Sequence, residues 1–184
     1  MSETSYSYQQ SSTDGDLLPV VDEHDQVIGS APRRKVHAEK LRHRSVHAVV
    51  INGQGEVLLQ KRSMKKDSHP GCWDISMGGH VDAGETYEVA AARELVEELG
   101  VPSPAREVAR REAGPDSGWE FVRIYEVIFD GDPTFNRDEI DAVKWVTVEE
   151  LFSRYVPMSK DVDFCITGSG MISLKKWAEA TDRL

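Results

Sequence analysis

Three glutamates at helical spacing are the most chemically informative feature of the sequence. Glu94, Glu97 and Glu98 lie three and four residues apart, which places them on one face of an α-helix. Like-charge pairs on a helix cost roughly 0.2–0.5 kcal/mol each, so the cluster needs compensation. Carboxylate clusters suit Mg²⁺ or Mn²⁺, hard cations that also bridge phosphate oxygens. The spacing therefore predicts a divalent-cation site for a phosphate-bearing ligand.

The helix that carries these glutamates has clear predicted boundaries. Thr86 is a good N-cap residue, and Gly100 occupies the position where a left-handed residue ends a helix, so a helix is expected over residues 86–99. Its opposite face carries Ala91, Leu95 and Leu99 at four-residue spacing. A solvated acidic face is the alternative interpretation of the glutamates. A packed helix would instead hold them in place against the Gly-rich loop upstream.

The charge balance limits the class of ligand. The 184 residues carry a formal net charge of −10, which argues against broad affinity for nucleic acid or anionic lipid, because both require an extended positive surface. No apolar run approaches the roughly 20 residues that a membrane-spanning helix needs. We therefore expect a small-molecule partner, no nucleic-acid partner and no membrane contact. Phosphate must then be bound locally, by a few cations or by metal.

The remaining sequence predicts one domain around this helix. Residues 1–16 are rich in Ser, Thr, Tyr and Gln and are interpreted as a disordered tail without signal or transit features, which leaves a domain over residues 17–184. Alternating apolar segments and turn residues predict hairpins and strands. These cover residues 17–29, 45–59, 106–112, 120–129 and 142–146. Further helices are expected over residues 147–155 and 172–180. The pattern favours a mixed α/β layered domain over a doubly wound parallel sheet.

Cysteine usage predicts the compartment. Cys72 and Cys165 are far apart, match no metal-ligand spacing and are not expected to form a disulfide framework. A cytoplasmic location is therefore predicted.

Residues 79–101 resemble a known family signature. Every fixed position of the Nudix box, GX5EX7REUXEEXGU with U aliphatic, is matched in order by Gly79, Glu85, Arg93, Glu94, Leu95, Glu97, Glu98, Gly100 and Val101. On this match the chain is identified as a member of the Nudix hydrolase superfamily. The resemblance implies an α/β/α sandwich with a mixed β-sheet and a loop-helix-loop catalytic motif.

The same resemblance implies roles for the box residues. Glu94, Glu97 and Glu98 would bind Mg²⁺, with Mn²⁺ as the alternative, and the Gly79 carbonyl would complete a metal shell. One of these glutamates, or a glutamate from a later loop, would act as general base. The remaining polar positions would be structural: Arg93 would orient Glu94, and Glu85 would brace the motif. The implied reaction is attack of water on a phosphorus of a nucleoside diphosphate derivative.

Segments outside the box resemble the branch that contains type 1 isopentenyl-diphosphate isomerase. The matching segments are HRSV at residues 43–46, LLQKRS at 58–63, Lys66, PGCW at 70–73 and Gly79-His80. This likeness implies metal ligands at His43 and His80, with His37 as a further ligand, and diphosphate contacts at Arg62 and Lys66.

Two departures from the isomerase matter more than the likeness. The position of the isomerase's essential cysteine falls on Gly78, and the isomerase lacks the carboxylates that this chain keeps at Glu94 and Glu97. Hydrolysis is therefore the favoured prediction. An isomerase-like enzyme and a non-catalytic nucleotide-binding module remain the alternatives. The sequence leaves open the group attached to the diphosphate and the oligomeric state.

Residues elsewhere supply additional candidates. Glu139 lies where family members often provide a late acid, and Asp138 is its rival. Three further histidines, His24, His47 and His69, lack a partner pattern and are predicted to be packing or surface residues.

Overall fold

The computed structural model describes residues 17–102, 104–161 and 163–184, so the predicted tail lies outside the described residues. The strands are β1 Leu17–Val21, β2 Val27–Pro32, β3 His43–Ile51, β4 Val57–Arg62, β5 Trp73–Asp74, β6 Met77–His80, β7 Arg106–Arg111, β8 Glu120–Ile128, β9 Ile140–Val146, β10 Val156–Pro157 and β11 Cys165–Ile166. The helices are α1 Arg33–Ala38, α2 Tyr87–Leu99, α3 Val148–Arg154 and α4 Gly168–Ala180. A 3-10 turn spans Pro115–Ser117.

A mixed nine-stranded sheet forms the centre of the fold. Its main path is β10-β11-β5-β4-β3-β8-β7, while β6 pairs with β3 and β9 pairs with β4. Strand β3 runs parallel to β8 and antiparallel to β6. One apolar layer packs with α3 and α4, and the other packs with α2. The predicted mixed α/β sandwich is therefore confirmed.

Alternation along β3 builds both apolar layers. Val49 and Ile51 enter the layer beside α4, while Val46, Ala48 and Val50 enter the layer beside α2. Successive side chains of a strand point to opposite faces, so a strand covered by helices on both sides reads as continuously apolar. This explains the long apolar run at the centre of the chain.

The helix with the three glutamates forms as predicted. Thr86 caps α2 by accepting a hydrogen bond from the Val89 amide at 3.3 Å, and Gly100 ends it in a left-handed conformation with φ of 62°. The packed face that the sequence indicates is fully buried at Ala91, Leu95 and Leu99. Because this face is fixed against the sheet, the glutamates are held at defined positions.

Two predictions about the elements were confirmed only in part. The hairpin expected over residues 45–59 exists only at its turn, since β3 and β4 pair at Ile51 and Val57 alone and β4 pairs instead with β9. The last helix begins at Gly168 instead of residue 172. Its N-cap, Thr167, accepts from the Gly170 amide at 3.0 Å, and this cap compensates for the poor helix propensity of the two glycines.

The two cysteines also contradict the sequence prediction. Cys72 and Cys165 form a disulfide with Cα atoms 5.1 Å apart, across a sequence separation of 93 residues. Cys72 precedes β5 and Cys165 lies in β11, and these two strands pair with Ile166 opposite Trp73. Pairing of distant strands brings the thiols together, and spacing alone does not reveal it. The argument for a reducing compartment is thereby removed.

No helix in the described part of the chain has the length and apolar character needed to cross a bilayer.

Candidate active site

Arg93 is the structural centre of the loop-helix-loop motif. Its guanidinium donates to both carboxylate oxygens of Glu85 at 2.9 Å and to the backbone carbonyl of His80 at 3.1 Å. It also donates to Glu94 at 2.8 Å and to Glu97 at 3.2 Å. One side chain thus joins β6, the loop and α2. The hydrogen bonds from Arg93 lower the pKa of Glu85, so this carboxyl is ionised at neutral pH.

Glu94 lies directly against the glycine backbone of β6. A Cβ atom at position 79 would stand 2.2 Å from the carboxyl carbon of Glu94, so only glycine leaves room for that side chain. The Gly79 carbonyl accepts a hydrogen bond from the Ser45 hydroxyl at 3.0 Å. Burial raises the pKa of Glu94 despite the neighbouring Arg93. The structure therefore brings Gly79 and Glu94 together as the box resemblance implies.

Glu98 is the most deeply placed of the three glutamates. Its carboxylate forms no ion pair within 4 Å among the described residues, and its hydrogen-bond donor is the Gln60 amide at 3.2 Å. Burial, together with the charge of Glu94, raises the pKa of Glu98 to about 8. Glu97, by contrast, is half exposed. Glu94 and Glu98 are thus enclosed, whereas Glu97 lies at the edge of the site. Three carboxylates in this arrangement suit a hard divalent cation.

The sequence prediction missed Gln60. This residue is buried in β4, a strand whose first three residues are all apolar. A polar amide after three apolar residues is a weak signal by itself. Its partner is 38 residues away, so only the fold reveals that it contacts Glu98.

Two loops meet at the mouth of this site. Lys66 forms an ion pair with Glu139, and the charges of both act on Glu98. The adjacent Lys65 pairs with Asp138 at 2.7 Å. The structure therefore gathers the predicted phosphate contact Lys66 and the predicted late acid Glu139 beside the glutamates, while Asp138 lies at the surface.

Arg62, which was expected to contact diphosphate, forms hydrogen bonds within the protein. Its guanidinium donates to the Ser68 carbonyl at 3.0 Å, to the Ser68 hydroxyl at 3.1 Å and to Asp74 at 3.1 Å. These contacts close the loop of residues 63–72 and fix its start. Arg62 thereby supports the loop that carries Lys66, and three of its five N–H donors are already in use.

A second cluster contains the three predicted histidines. His37, His43 and His80 each place a ring nitrogen within 4.8 Å of the others. Glu120 adds a carboxylate oxygen 3.5 Å from Nε2 of His43 and 3.7 Å from Nε2 of His80. The structure thus places His43 and His80 together, as the resemblance implies, with Glu120 beside them.

The nitrogens of this cluster are oriented for ligation. Nδ1 of His43 lies 2.9 Å from the Leu41 carbonyl, which only accepts, so Nδ1 carries the proton and Nε2 presents its lone pair. Nε2 of His43 and Nε2 of His80 are buried without a hydrogen-bond partner in the described structure. Burial lowers the pKa of His80 to about 3, which keeps the imidazole neutral, the form that binds metal.

The two clusters lie on opposite faces of one strand. Gly79 faces Glu94 on α2, whereas the next residue, His80, faces the histidine cluster. Neighbouring residues of a strand point to opposite sides, which accounts for this division. The chain therefore places a carboxylate site and an imidazole site back to back across β6.

Comparison with known proteins identifies the family. The model of the NUDIX domain matches residues 41–162, which contain both clusters except for His37. The chain belongs to the NUDIX family. An uncharacterised Nudix hydrolase of Yersinia pestis is 35% identical over 138 residues, 74% of this chain and 76% of that protein. The predicted superfamily and fold are thus confirmed.

Two further proteins are similar to this NUDIX protein. The isopentenyl-diphosphate Delta-isomerase 2 of Photorhabdus laumondii is 35% identical over 141 residues, 74% of this chain and 80% of that enzyme. The crystal structure of DR0079 from Deinococcus radiodurans superposes with a TM-score of 0.67 at 34% identity, covering 76% of this chain and 88% of that protein. The NUDIX domain therefore resembles proteins from both the hydrolase and the isomerase branches.

Proposed function

We propose that this NUDIX protein hydrolyses a diphosphate linkage in a nucleoside diphosphate derivative or a similar small molecule, with Mg²⁺ or Mn²⁺ as cofactor. One observation carries the proposal: Glu94 and Glu98 form an enclosed pair of carboxylates, and Glu98 has no cationic partner within 4 Å in the described structure. A buried carboxylate without a counterion is costly to maintain. A divalent cation would remove that cost and attract a polyphosphate.

The cation would be held by Glu94, Glu97, Glu98 and the Gly79 carbonyl. When bound, it supplies charge stabilisation and a lowered pKa for the attacking water. The chain's own residues fix the geometry. Arg93 holds Glu94 in place, and Glu85 in turn holds Arg93.

Lys66 and Glu139, which lie on two loops at the mouth of the site, would take part in substrate binding and catalysis. Lys66 is a cation whose charge acts on Glu98, and it would bind diphosphate oxygens in exchange for Glu139. That exchange would free the Glu139 carboxylate, which makes it a candidate for the general base beside Glu98. No nucleic-acid or membrane partner is part of this proposal.

The test is a product-identified assay of the purified protein. Mg²⁺ and a panel of nucleotide sugars, dinucleoside polyphosphates, coenzymes and isopentenyl diphosphate would be used. We expect cleavage of a diphosphate bond that falls at least about 100-fold in Glu98→Gln, because removal of one charge-stabilising group typically costs that much. Glu179→Gln, at an exposed position of α4, is the matched control and should retain full activity. Cleavage that persists unchanged in Glu98→Gln would refute the assignment of the site.

A second candidate function is supported by the histidine cluster. His37, His43, His80 and Glu120 form a donor set for a metal ion, and two of its buried nitrogens have no hydrogen-bond partner among the described residues. An isomerase-like enzyme would use such a site for isopentenyl diphosphate. The absence of a thiol at Gly78 argues against it, since no thiol at that position is available for proton transfer to carbon.

The same assay separates the candidates. Double-bond migration in isopentenyl diphosphate would establish the isomerase. Tight nucleotide binding without turnover would indicate a non-catalytic module. Metal content of wild type and of His43→Gln, measured by mass spectrometry, tests the histidine site on its own: loss of one bound ion is expected, and unchanged content contradicts the site.

A further inference from the structure

His47 has partners that the sequence did not indicate. The side chain is buried in β3, and its Nδ1 lies 2.8 Å from the hydroxyl of Ser173 on α4. Arg111 in β7 donates to the same hydroxyl at 3.0 Å. His47 is buried, as a packing residue would be, but the sequence did not indicate Ser173 and Arg111, which lie 126 and 64 residues along the chain.

The Ser173 hydroxyl joins Arg111 to His47, and its single proton suits donation to Nδ1 of His47. A guanidinium only donates, so the Ser173 oxygen accepts from Arg111. The hydroxyl has one proton to give, and in the described structure His47 Nδ1 is its remaining hydrogen-bond partner. When Ser173 donates to Nδ1, the neutral imidazole carries its own proton on Nε2. In that arrangement His47 presents an N–H donor at its far edge.

A buried cation lies behind this donor. Arg111 is only 6% exposed and forms no ion pair with a described carboxylate, although the charge of Glu120 acts on it. Its NH1 group donates instead to the Ser169 carbonyl, the Ser169 hydroxyl and the Ser173 hydroxyl. Hydrogen bonds in series polarise one another in a low-dielectric interior. The hydrogen bonds from Arg111 through Ser173 therefore polarise the N–H at His47 Nε2, while the charges of Glu120 and Asp74 also act on this imidazole.

The donor faces an opening at Gly78. This residue of β6 is exposed, and a Cβ atom placed on it would lie 3.4 Å from His47 Nε2 and 3.3 Å from Cδ2. The backbone of Gly78 is outside the left-handed region, so the conformation itself does not demand glycine. Within the described residues, no group hydrogen-bonds His47 Nε2. Glycine thus leaves the imidazole edge uncovered, since even a Cβ atom at this position would crowd it.

We propose that the opening at Gly78 is a subsite for the group attached to the diphosphate, and that His47 Nε2 donates a hydrogen bond to an anionic oxygen of that group. The inference rests on the proposed function, because Gly79 is the next residue and lies against Glu94. Strand β6 pairs on one side only, with β3. A substrate held at the glutamates would reach the Gly78 face around the edge of β6 that pairs with none of the described strands. The ligand chemistry is a phosphate or carboxylate oxygen.

Steady-state kinetics with matched substrates test the subsite. UDP-glucuronate carries a carboxylate where UDP-glucose carries a neutral hydroxymethyl group, and a dinucleoside tetraphosphate provides the phosphate case. His47→Leu should raise KM for the anionic substrate about tenfold or more, as expected for a lost hydrogen bond to a charged group. The kcat value should change less than about twofold, and UDP-glucose should be unaffected. His47→Gln keeps an N–H donor and should recover part of the loss.

A second variant avoids the buried position. Gly78→Ala places a methyl group beside Nε2 at an exposed site and should raise KM for the same substrates. Gly29→Ala is its control, because a Cβ there meets no atom within 4 Å. A larger effect with the tetraphosphate assigns phosphate to the subsite, and a larger effect with UDP-glucuronate assigns carboxylate.

Equilibrium binding separates this inference from the proposed hydrolysis. Calorimetry with UDP-glucuronate and the tetraphosphate, in Mg²⁺ and a Glu98→Gln background, measures affinity without turnover. If the wild type hydrolyses nothing but binding weakens in His47→Leu, the subsite stands and the hydrolysis proposal fails. The subsite proposal is overturned if His47→Leu and Gly78→Ala leave KM and affinity unchanged, if neutral and anionic substrates respond equally, or if neither probe binds.

Discussion

Gly79 and Glu94 are in such close contact that a Cβ atom at position 79 would stand 2.2 Å from the Glu94 carboxyl carbon. The smallest possible enlargement of residue 79 must therefore displace a carboxylate. We expect Gly79→Ala to fold but to lose at least about 100-fold in Mg²⁺-dependent activity, since a displacement of about 1 Å at a site costs that much.

Activity and Mg²⁺ affinity of Gly79→Ala, measured together, check this expectation. Gly29→Ala controls for the general effect of replacing glycine. Wild-type Mg²⁺ affinity in Gly79→Ala would show that the position of Glu94 is unimportant.

The raised pKa of Glu98 predicts a pH-dependent stability of the metal-free protein. The folded-state pKa is about 8 against an ordinary value of 4.5, so the folded protein binds the extra proton between these values. Stability in EDTA should therefore fall as the pH rises from about 5 to about 8, by an amount on the order of a few kcal/mol. Melting temperatures across this pH range measure it.

Two variants sharpen the pH experiment. Glu98→Gln should flatten the profile and raise the melting temperature at pH 8, because it removes the buried charge. Glu97→Gln should leave the melting temperature of the metal-free protein unchanged or slightly raised, since Glu97 is half exposed. A wild-type profile that is flat in EDTA would contradict the burial of an unpaired carboxyl at Glu98.

Lys66 is expected to act on substrate binding more than on turnover. Its ion pair with Glu139 lies at the mouth of the site, where diphosphate oxygens would compete for the ammonium group. Lys66→Ala should raise KM about tenfold with little change in kcat. Lys65→Ala is the matched control, because Lys65 lies one residue away and pairs with the exposed Asp138. Equal KM values for the two variants would argue against contact between Lys66 and substrate.

The disulfide predicts a redox-dependent stability. Cys72 and Cys165 close a loop with a sequence separation of 93 residues, and a bridge of this kind typically stabilises a fold by about 2–4 kcal/mol. Thiol titration of the denatured, non-reduced protein should find no free thiol. Dithiothreitol should lower the melting temperature of the wild type and leave that of Cys72→Ser/Cys165→Ser unchanged. Identical melting curves with and without reductant would show that the bridge does not form.

Local sequence signals predicted the catalytic helix well. Thr86 and Gly100 cap the two ends of α2, and its apolar face lies between them. These signals are local, so the sequence alone predicts the helix. The fixed spacing of the box likewise placed Arg93 one helical turn before Glu97, to which it donates a hydrogen bond at 3.2 Å.

Partners that depend on the fold could not be predicted. The turn between β3 and β4 is visible in the sequence, but an apolar strand gives no indication of which neighbour it pairs with. The contacts of Glu98 with Gln60 and of His47 with Ser173 join separate elements. These long-range contacts arise only after the sheet and α4 have packed together.

Successive residues of β6 face opposite sides of the sheet, so the positions of both clusters depend on the register of this strand. Gly79 and His80 occupy consecutive places opposite Val46 and Ser45 of β3. A slip of one residue between these strands would exchange their faces, so glycine would meet the imidazoles and the imidazole ring would collide with Glu94. An insertion or deletion inside this four-residue strand would thus disrupt both clusters at once. A change in strand length therefore cannot alter one cluster and leave the other intact.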